Sequence, residues 1–304
     1  MNDRRVLDLF CGAGGLASGF AEAGFEVTGV DHKEIVPRIF ELNGIGAARV
    51  ANLYTDKVNG GYDVVIGGPP CRPWSSINVR RRGAEHDNFT LLDSFAHHVL
   101  INRPDIFLLE NVPPARGDAI RATAKLAEEG YSMKAETVTY SQFGAPTSRR
   151  RLMLFGSLRV DADAFFDELK KFKHQASTVR KAIGYLEGKK PGEVPDHVYP
   201  NLKTIDKYDE YYETGKYGWY RLSWDEPAPS FGNVMKTYTL HPSSREGGVT
   251  PRVISIREAM RLMGFRKGFR FPDGMGMGLR YQMVADSVSP FFSRAAAKAI
   301  DRLL

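Results

Sequence analysis

The sequence is poor in cysteine and contains no long apolar run. Its 304 residues include two cysteines, Cys11 and Cys71. Two thiols exclude both a disulfide framework and a cysteine-rich zinc site, so we expect no metal. No stretch approaches the roughly 18 apolar residues of a membrane span, and no signal-peptide pattern precedes the first structured motif. We therefore expect a cytoplasmic protein with no membrane partner.

Positive charge is only slightly in excess. Lys and Arg total 42 against 36 Asp and Glu, which gives a formal net charge of +6. Such an excess permits a polyanionic partner without requiring one. The basic residues cluster at 80–82, at 149–151 and along 170–190. Hydrophobic residues make up 42% of the chain, enough for a packed core, so wholesale disorder is excluded.

Short apolar runs alternate with helical patterns in the first half of the chain. The runs at 6–10, 26–30, 63–68, 106–110 and 151–156 indicate buried strands, and segments 15–24 and 91–103 carry apolar residues at helical spacing. This alternation predicts an α/β fold with a doubly wound, mostly parallel sheet. Ligands of such a sheet bind beyond the carboxyl ends of its strands.

The pattern changes after residue 156. Prolines, glycines, lysines and aromatic residues mix until about residue 250, and 293–304 looks like an amphipathic helix. We predict one domain formed by 1–156 plus 276–304, and a smaller, irregular domain formed by 157–275. The aromatic residues of the smaller domain have two interpretations: a satellite core with a solvated basic face, or contact with a nucleic acid.

A glycine-rich turn follows the first predicted strand. The stretch DLFCGAGGL places Gly12, Gly14 and Gly15 between a strand and a helix, where glycine lets the backbone approach a ligand closely. The next strand ends at Asp31, where a carboxylate can bind ribose hydroxyls. The spacing is not GxGxxG, and no phosphate-binding GKS or GKT occurs, which favours a nucleoside cofactor without a pyrophosphate. A purely structural strand–helix junction is the alternative.

A second turn presents a cysteine at the same predicted edge. In DVVIGGPPCRPWSS two prolines stiffen the exit from a strand and Cys71 lies at the apex, whereas a structural cysteine is usually buried within an element. Another predicted strand ends at Glu110, where a buried carboxyl group can become a proton donor. Arg149 and Arg151 begin a further strand, and alternation predicts that both point to one face. Taken singly, each residue fits structural ion pairing as well as function.

Six motifs, in one order, resemble those of the C5-cytosine DNA methyltransferases. They are DLFCGAGGL, GGPPCRPWS, ENV, the RRR segment, REAMRLMGF and YQMVADSVSP. The resemblance covers nearly the whole chain except 157 to about 225, where the family places its variable target-recognition region. It implies an S-adenosylmethionine-binding α/β domain, double-stranded DNA as substrate, and methyl transfer to C5 of a cytosine flipped out of the duplex.

The resemblance also implies a role for individual residues. Cys71 matches the nucleophile that adds to C6, Glu110 the glutamate that hydrogen-bonds or protonates N3, Arg151 the arginine that contacts O2, and Arg149 its partner. The implied cofactor-binding residues are Phe10, Cys11, Gly12, Gly14, Asp31, His32, Asn52, Leu53, Pro70, Leu91, Asp286 and Ser287. The implied DNA-binding residues are Arg72, Ser75, Arg80, Arg81 and Arg82. Most of these belong to 75–88, which matches a loop that closes over the flipped base; a solvated basic loop is the alternative.

The chain departs from the family pattern at several positions. Arg72 and Thr147 each replace a glutamine, and Asn52 replaces an aspartate. Asp286 replaces an asparagine and adds a carboxylate, so we expect it to support binding of the cationic cofactor. None of these departures falls on the three residues implied to act on the cytosine ring, which predicts an active enzyme.

Two other functions are compatible with the same motifs. A sister branch of the family methylates tRNA, but it carries a Cys-Phe-Thr tripeptide that does not occur here, which favours DNA. A catalytically silent DNA-binding relative is the second alternative, and the retained cysteine argues against it. We further expect a prokaryotic, nucleoid-associated monomer, with a cognate restriction endonuclease as a separate partner in a restriction–modification system.

Overall fold

A seven-stranded sheet organises the first half of the chain. The computed structural model describes residues 4–71, 74, 90–202, 204–245 and 250–304. Within these residues the strands are β1 (Arg5–Leu9), β2 (Glu26–Asp31), β3 (Ala47–Val50), β4 (Val64–Gly67), β5 (Ile106–Asn111), β6 (Ser132–Thr139) and β7 (Arg150–Ser157). Their order across the sheet is β3-β2-β1-β4-β5-β7-β6. Strands β1 to β5 pair in parallel, and β7 is antiparallel to both of its neighbours, which confirms the predicted mostly parallel α/β sheet.

Helices connect and follow these strands. They are α1 (Gly15–Glu22), α2 (Val36–Asn43), α3 (Leu91–Asn102), α4 (Arg116–Glu128), α5 (Ala162–Lys170), α6 (Val179–Ile183), α7 (Asp209–Glu213), α8 (Ile256–Met263), α9 (Met277–Asp286) and α10 (Pro290–Asp301). Helix α8 begins with a capping box, in which Ser255 and Glu258 each accept a hydrogen bond from the other's backbone N–H. Among the described residues, no helix is long and apolar enough to cross a bilayer.

The chain forms two compact units. The sheet unit comprises Met1–Thr139, Arg150–Lys173 and Phe292–Leu304, and the small unit comprises Tyr140–Arg149 and His174–Phe291. Both boundaries differ from the predicted domain limits at 156 and 276. Helix α5 belongs with the sheet because the ring of Phe165 stacks on Phe155, with ring centroids 4.2 Å apart. Helix α9 belongs with the small unit, where the Tyr281 hydroxyl donates a hydrogen bond to the Ile254 carbonyl over 2.7 Å.

Burial explains why the central strands form where they do. All residues of β4 and β5 are buried, as expected for parallel strands covered on both faces. Helices α1 and α10 approach closely at Gly19, where an added Cβ would collide with the backbone of Ser293 and Arg294. The Ser293 hydroxyl donates a hydrogen bond to the Leu16 carbonyl at this contact. The C-terminal helix therefore packs against the first helix of the sheet unit.

The small unit has its own core. Trp219 is 7% exposed, and four tyrosines surround it with ring centroids 4.5 to 5.8 Å from the Trp219 ring: Tyr208, Tyr211, Tyr212 and Tyr238. Cationic groups cover part of this cluster, with Lys216 Nζ 3.6 Å from the Tyr211 centroid and Arg221 Cζ 5.1 Å from that of Tyr212. These aromatic residues thus form a satellite core, the first of the two interpretations above.

Buried charged groups hold the small unit together around α8. Glu258 is fully buried and accepts two hydrogen bonds of 2.8 Å from the Arg252 guanidinium. His241 Nε2 lies 3.6 Å from the same carboxylate, and its Nδ1 accepts the Ser243 N–H over 3.2 Å. Burial lowers the pKa of His241 from 6.5 to about 4, against the opposing effect of Glu258, while Arg252 and His197 lower it further.

His241 makes the small unit sensitive to acid. The unfolded chain binds a proton on this histidine below about pH 6.5 whereas the folded unit does not until about pH 4, so stability falls as the pH decreases through this window. The loss reaches on the order of 3 kcal/mol. We expect His241→Gln to flatten the pH dependence of the urea midpoint of unfolding. Unfolding is followed by the fluorescence of Trp224, whose ring centroid lies 5.0 Å from that of His241. His174→Gln, at an exposed position of the same unit, should leave the pH dependence of the urea midpoint unchanged. An equal change of the midpoint with pH in the wild-type chain and both variants would contradict the prediction.

Candidate active site

The carboxyl ends of four parallel strands meet at one edge of the sheet. In the register, Leu9 pairs with both Val30 and Gly67, and Gly67 pairs with Leu109. The residues that follow β1, β2, β4 and β5 therefore leave the sheet side by side. Chain order reverses between β1 and β4, and such a switch point is where open α/β sheets bind ligands.

The glycine turn after β1 has an unusual backbone. Phe10, Gly12 and Gly14 all adopt left-handed conformations, with φ of 59°, 52° and 75°. A Cβ at Gly14 would lie 2.7 Å from Ile45 Cδ1, so only glycine fits there. A left-handed phenylalanine is uncommon, and residues in such conformations cluster at functional sites.

Asp31, at the end of β2, holds this turn in place. Its carboxylate accepts hydrogen bonds from the N–H groups of Gly12 and Lys33, each over 3.0 Å. The Lys33 ammonium lies 3.3 Å away and His32 Nδ1 3.2 Å away, with the His32 side chain 66% exposed. The structure thus brings the predicted cofactor residues Gly12, Asp31 and His32 together.

The predicted adenine-side residues are partly committed to other contacts. Asn52 is exposed, and its side-chain oxygen accepts the Tyr54 N–H over 3.1 Å within a turn. Leu53 and Leu91 are each 5% exposed and belong to the hydrophobic core. Apolar packing and a local turn therefore account for these three positions in the present structure.

Asp8 and Cys11 are buried beside the glycine turn. Burial raises the pKa of the Asp8 carboxyl group well above its usual value, and the charge of Asp31 raises it further, although the Ala17 N–H lowers it. Burial and the charges of Asp8 and Asp31 likewise raise the pKa of the Cys11 thiol. Sequence reasoning missed Asp8 because it took VLDLF simply as a buried strand; an acid inside an apolar run was the available signal.

The turn that carries Cys71 is fixed by neighbouring strands and helices. A Cβ at Gly68 would lie 3.0 Å from Glu110 Oε2, so the chain passes close to that carboxylate. The Asn111 side-chain amide donates a hydrogen bond to the Pro69 carbonyl over 3.2 Å. Beyond the half-buried Cys71, the Trp74 N–H donates to the Cys71 carbonyl over 3.0 Å, and the Trp74 indole donates to Asp118 over 2.7 Å.

Glu110 forms a buried ion pair with Arg151. Glu110 Oε1 lies 2.9 Å from Arg151 Nε, and their side chains are 8% and 10% exposed. The antiparallel pairing of β5 with β7, which sets Asn111 opposite Leu152, places Arg151 at this end of β5. Arg151 also donates a hydrogen bond of 2.7 Å to the Arg150 carbonyl. These contacts fix both predicted catalytic side chains.

Arg149 has different partners from Arg151. Strand β7 begins at Arg150, so Arg149 precedes the strand and the expected one-face alternation does not apply to it. Arg149 lies in the small unit, where it is 3% exposed and donates hydrogen bonds to the carbonyls of Phe231 and Ala285. Its sequence-distant partners could not be deduced from the local pattern.

The remaining predicted residues lie elsewhere. Asp286 ends α9 in the small unit, is exposed, and accepts hydrogen bonds of 2.8 and 2.9 Å from the Gln282 amide. Ser287 donates a hydrogen bond of 2.7 Å to the Met283 carbonyl, and Pro70 is half-buried in the cysteine turn. The predicted DNA-binding residues Arg72, Ser75, Arg80, Arg81 and Arg82 lie outside the described residues. In the part of the chain that the structure describes, no group of three His, Cys, Asp or Glu residues could hold a metal ion.

Comparison with known families accounts for this arrangement. The model of the C-5 cytosine-specific DNA methylase family matches residues 4–302. The chain belongs to this family. Among curated proteins it is similar to the type II methyltransferase M.HgiDI of Herpetosiphon aurantiacus, with 28% identity over 88% of this chain and 85% of that protein. It is also similar to the type II methyltransferase M.NlaX of Neisseria lactamica, with 27% identity over 99% of this chain and 97% of that protein.

Solved structures of low sequence identity share the fold. The chain superimposes on the Dnmt2 methyltransferase of S. pombe with a TM-score of 0.74, 17% identity and coverage of 100% of this chain and 98% of that chain. A putative DNA modification methyltransferase from an E. coli prophage gives a TM-score of 0.71 at 22% identity, with 99% of each chain covered. The methyltransferase fold of this C5 family member is thereby confirmed.

The Glu110–Arg151 pair should stabilise the sheet unit of this methylase. Arg151→Met leaves the buried Glu110 carboxylate without its cationic partner, and breaking a buried pair from one side costs about 3–5 kcal/mol. Arg103→Met is the matched control, because Arg103 pairs with Glu129 over 3.0 Å on the surface, with the two side chains 61% and 40% exposed. The loss of unfolding free energy in Arg103→Met should stay below about 1 kcal/mol. Urea unfolding at pH 7 measures both values, and equal losses would refute a stabilising role for the buried pair.

Proposed function

We propose that this chain is a DNA (cytosine-5-)-methyltransferase that uses Cys71 as its nucleophile. The observation that carries the proposal is the cysteine turn: Cys71 lies on a half-buried turn that leaves β4 beside Glu110, so close that a Cβ added to Gly68 would lie 3.0 Å from Glu110 Oε2. Glu110 is in turn fixed by Arg151. A thiol, a carboxyl group and a guanidinium are thereby held at the edge of the sheet that binds ligands.

The chemistry of cytosine explains why a thiol is required. C5 of the ring is too weakly nucleophilic to accept a methyl group unaided. The Cys71 thiolate adds to C6, and the electron pair of the C5–C6 double bond moves into the ring and gives C5 carbanion character. S-adenosylmethionine, when bound, supplies an electrophilic methyl group on a sulfonium sulfur. After transfer, loss of the C5 proton to a base restores the double bond as the Cys71–C6 bond breaks.

Glu110 and Arg151 act on the ring during the addition. Glu110 hydrogen-bonds or protonates N3, so that the electron density arriving from sulfur is neutralised on the ring. Arg151, whose Nε already holds the Glu110 carboxylate at 2.9 Å, contacts O2 through its remaining donors. Holding both groups before the base arrives removes the cost of ordering them in the transition state.

The residues beside the glycine turn fit a cationic nucleoside cofactor. Asp31 supplies a buried carboxylate at the end of β2, and Asp8 supplies a second carboxyl group whose oxygens have no hydrogen-bond partner among the described residues. Acidic groups suit a ligand that carries ammonium and sulfonium charges. Phe10 and Gly14 provide the left-handed turn backbone and Asp31 the acceptor for ribose hydroxyls. Asp286 and Ser287 are proposed as cofactor-binding residues only because they match the family motif.

Duplex DNA is the proposed substrate, and the target cytosine must leave the stack, at a cost of a few kcal/mol. Arginines 72 and 80–82 would contact phosphates, so binding should weaken with salt. The named relatives are type II enzymes, which makes a restriction–modification system, with a separate endonuclease, the proposed context. We propose a monomer in the cytoplasm of a prokaryote.

Covalent trapping tests the nucleophile. A duplex with 5-fluorocytosine cannot lose its C5 substituent as a proton, so the enzyme stays bound to the base after methyl transfer. We expect a denaturant-resistant protein–DNA adduct, dependent on S-adenosylmethionine, with the wild-type chain and none with Cys71→Ser. The probe is a pool of mixed-sequence duplexes, so that the test does not depend on knowing which DNA sequence the enzyme recognises.

The other cysteine supplies the matched control. Cys11→Ser removes a buried thiol at the glycine turn, so its cofactor affinity is measured alongside, and with bound cofactor it should retain the adduct. Tritium transfer from labelled S-adenosylmethionine to mixed duplex DNA, with tRNA as competitor, completes the test. Label in 5-methylcytosine of DNA supports the proposal, whereas label only in tRNA, or cofactor binding with no label in either nucleic acid, refutes it.

A further inference from the structure

The two carboxyl groups beside the glycine turn differ in how they are satisfied. Asp31 accepts two backbone N–H groups, from Gly12 and Lys33, and lies 3.3 Å from the Lys33 ammonium. Asp8 is 1% exposed, and neither carboxyl oxygen has a hydrogen-bond partner among the described residues. The Ala17 N–H interacts with Asp8 and lowers its pKa, but it does not meet hydrogen-bonding distance and angle.

This difference decides which group carries negative charge. A carboxylate needs several donors when it is removed from water, and a buried one without them is strongly destabilised. Asp31 has such donors, whereas Asp8 has only the weak contact with the Ala17 N–H, and the charge of Asp31 raises its pKa further. The nearby Cys11 offers no compensating positive charge, because a thiol is neutral when protonated. Lys33 is engaged with Asp31.

We propose that Asp8 carries a proton in the cofactor-free protein and releases it when S-adenosylmethionine binds at the glycine turn. The O–H bond of the carboxyl group breaks, the proton passes to the buffer, and the carboxylate remains as a countercharge to the cofactor's cationic groups. This inference rests on the proposed function, since it needs the cationic cofactor to bind there.

The exchange has a measurable consequence for affinity. Because binding releases a proton, acid opposes it, and cofactor affinity rises with pH by up to about tenfold per pH unit while Asp8 is protonated in the free protein. In the cofactor-free protein, a protonated Asp8 avoids the repulsion between two adjacent carboxylates. It supplies the second negative charge only when the positive charge of the cofactor is present.

Titration calorimetry in two buffers of different ionisation enthalpy counts the protons. S-adenosylmethionine is titrated into the wild-type chain, Asp8→Asn and Asp167→Asn at several values between about pH 5.5 and 8. Asp167 is an exposed aspartate of α5 that pairs with Lys170 over 2.8 Å, away from the glycine turn. We expect the wild-type chain to release up to one more proton per bound cofactor than Asp8→Asn, and Asp167→Asn to match the wild-type chain. The comparison cancels proton exchange by the cofactor's own amino group, which is common to all three proteins.

A second measurement needs only folded wild-type protein. Infrared difference spectra should show that the C=O band of a protonated carboxyl group disappears on cofactor binding, in the wild-type chain and in Asp167→Asn. If the cofactor binds but this band is retained, or the wild-type and Asp8→Asn proteins exchange equal numbers of protons at every pH, Asp8 does not have this role. If folded wild-type protein binds no cofactor at all, the proposed function itself fails.

Discussion

Parallel pairing of β1 with both β2 and β4 is the constraint on which the site depends. It forces the chain segments after these strands to leave the sheet at one edge, and β5 extends the same edge by pairing with β4. Residues far apart in sequence, such as Asp31 at the end of β2 and Cys71 after β4, therefore lie at the ends of the two strands that flank β1. The antiparallel β7 adds the start of a strand at this edge, so Arg151 reaches Glu110 at the end of β5.

The way in which buried charges are compensated separates framework from function. In the small unit, Glu258 is satisfied by Arg252 and by the capping box of α8, so its charge serves the fold. Glu110 has a guanidinium partner within the site that we propose, and such an arrangement fixes a carboxyl group at the cost of removing two charges from water. Asp8 is different, since its oxygens are not satisfied by the described residues. An unsatisfied buried group of this kind requires an explanation, and the cationic cofactor that we propose at the glycine turn provides one.

The sequence allowed the inner strands and the strand-end residues to be predicted, because buried parallel strands are continuous apolar runs and the segments after them contain glycine, proline or polar residues. It did not reveal β3 or β6, whose residues are largely half-exposed or exposed and form no apolar run. The positions of Asp31, Cys71 and Glu110 at or after strand ends led to their prediction as site residues. The partners of Arg149 could not be predicted, since they lie 82 and 136 residues along the chain, and only tertiary packing brings them together.

Burial assigns different chemistry to the two cysteines. A thiol reacts as its thiolate, so an apolar, negatively charged environment suppresses it. Cys11 lies in such an environment, where burial and the charge of Asp31 raise the pKa of its thiol. Cys71 instead lies on a half-buried turn, whose shape is set by the Asn111–Pro69 and Trp74–Asp118 hydrogen bonds. The proposed mechanism forms and breaks one S–C6 bond, at Cys71, and benefits from a second thiol that stays protonated, as burial and Asp31 favour for Cys11.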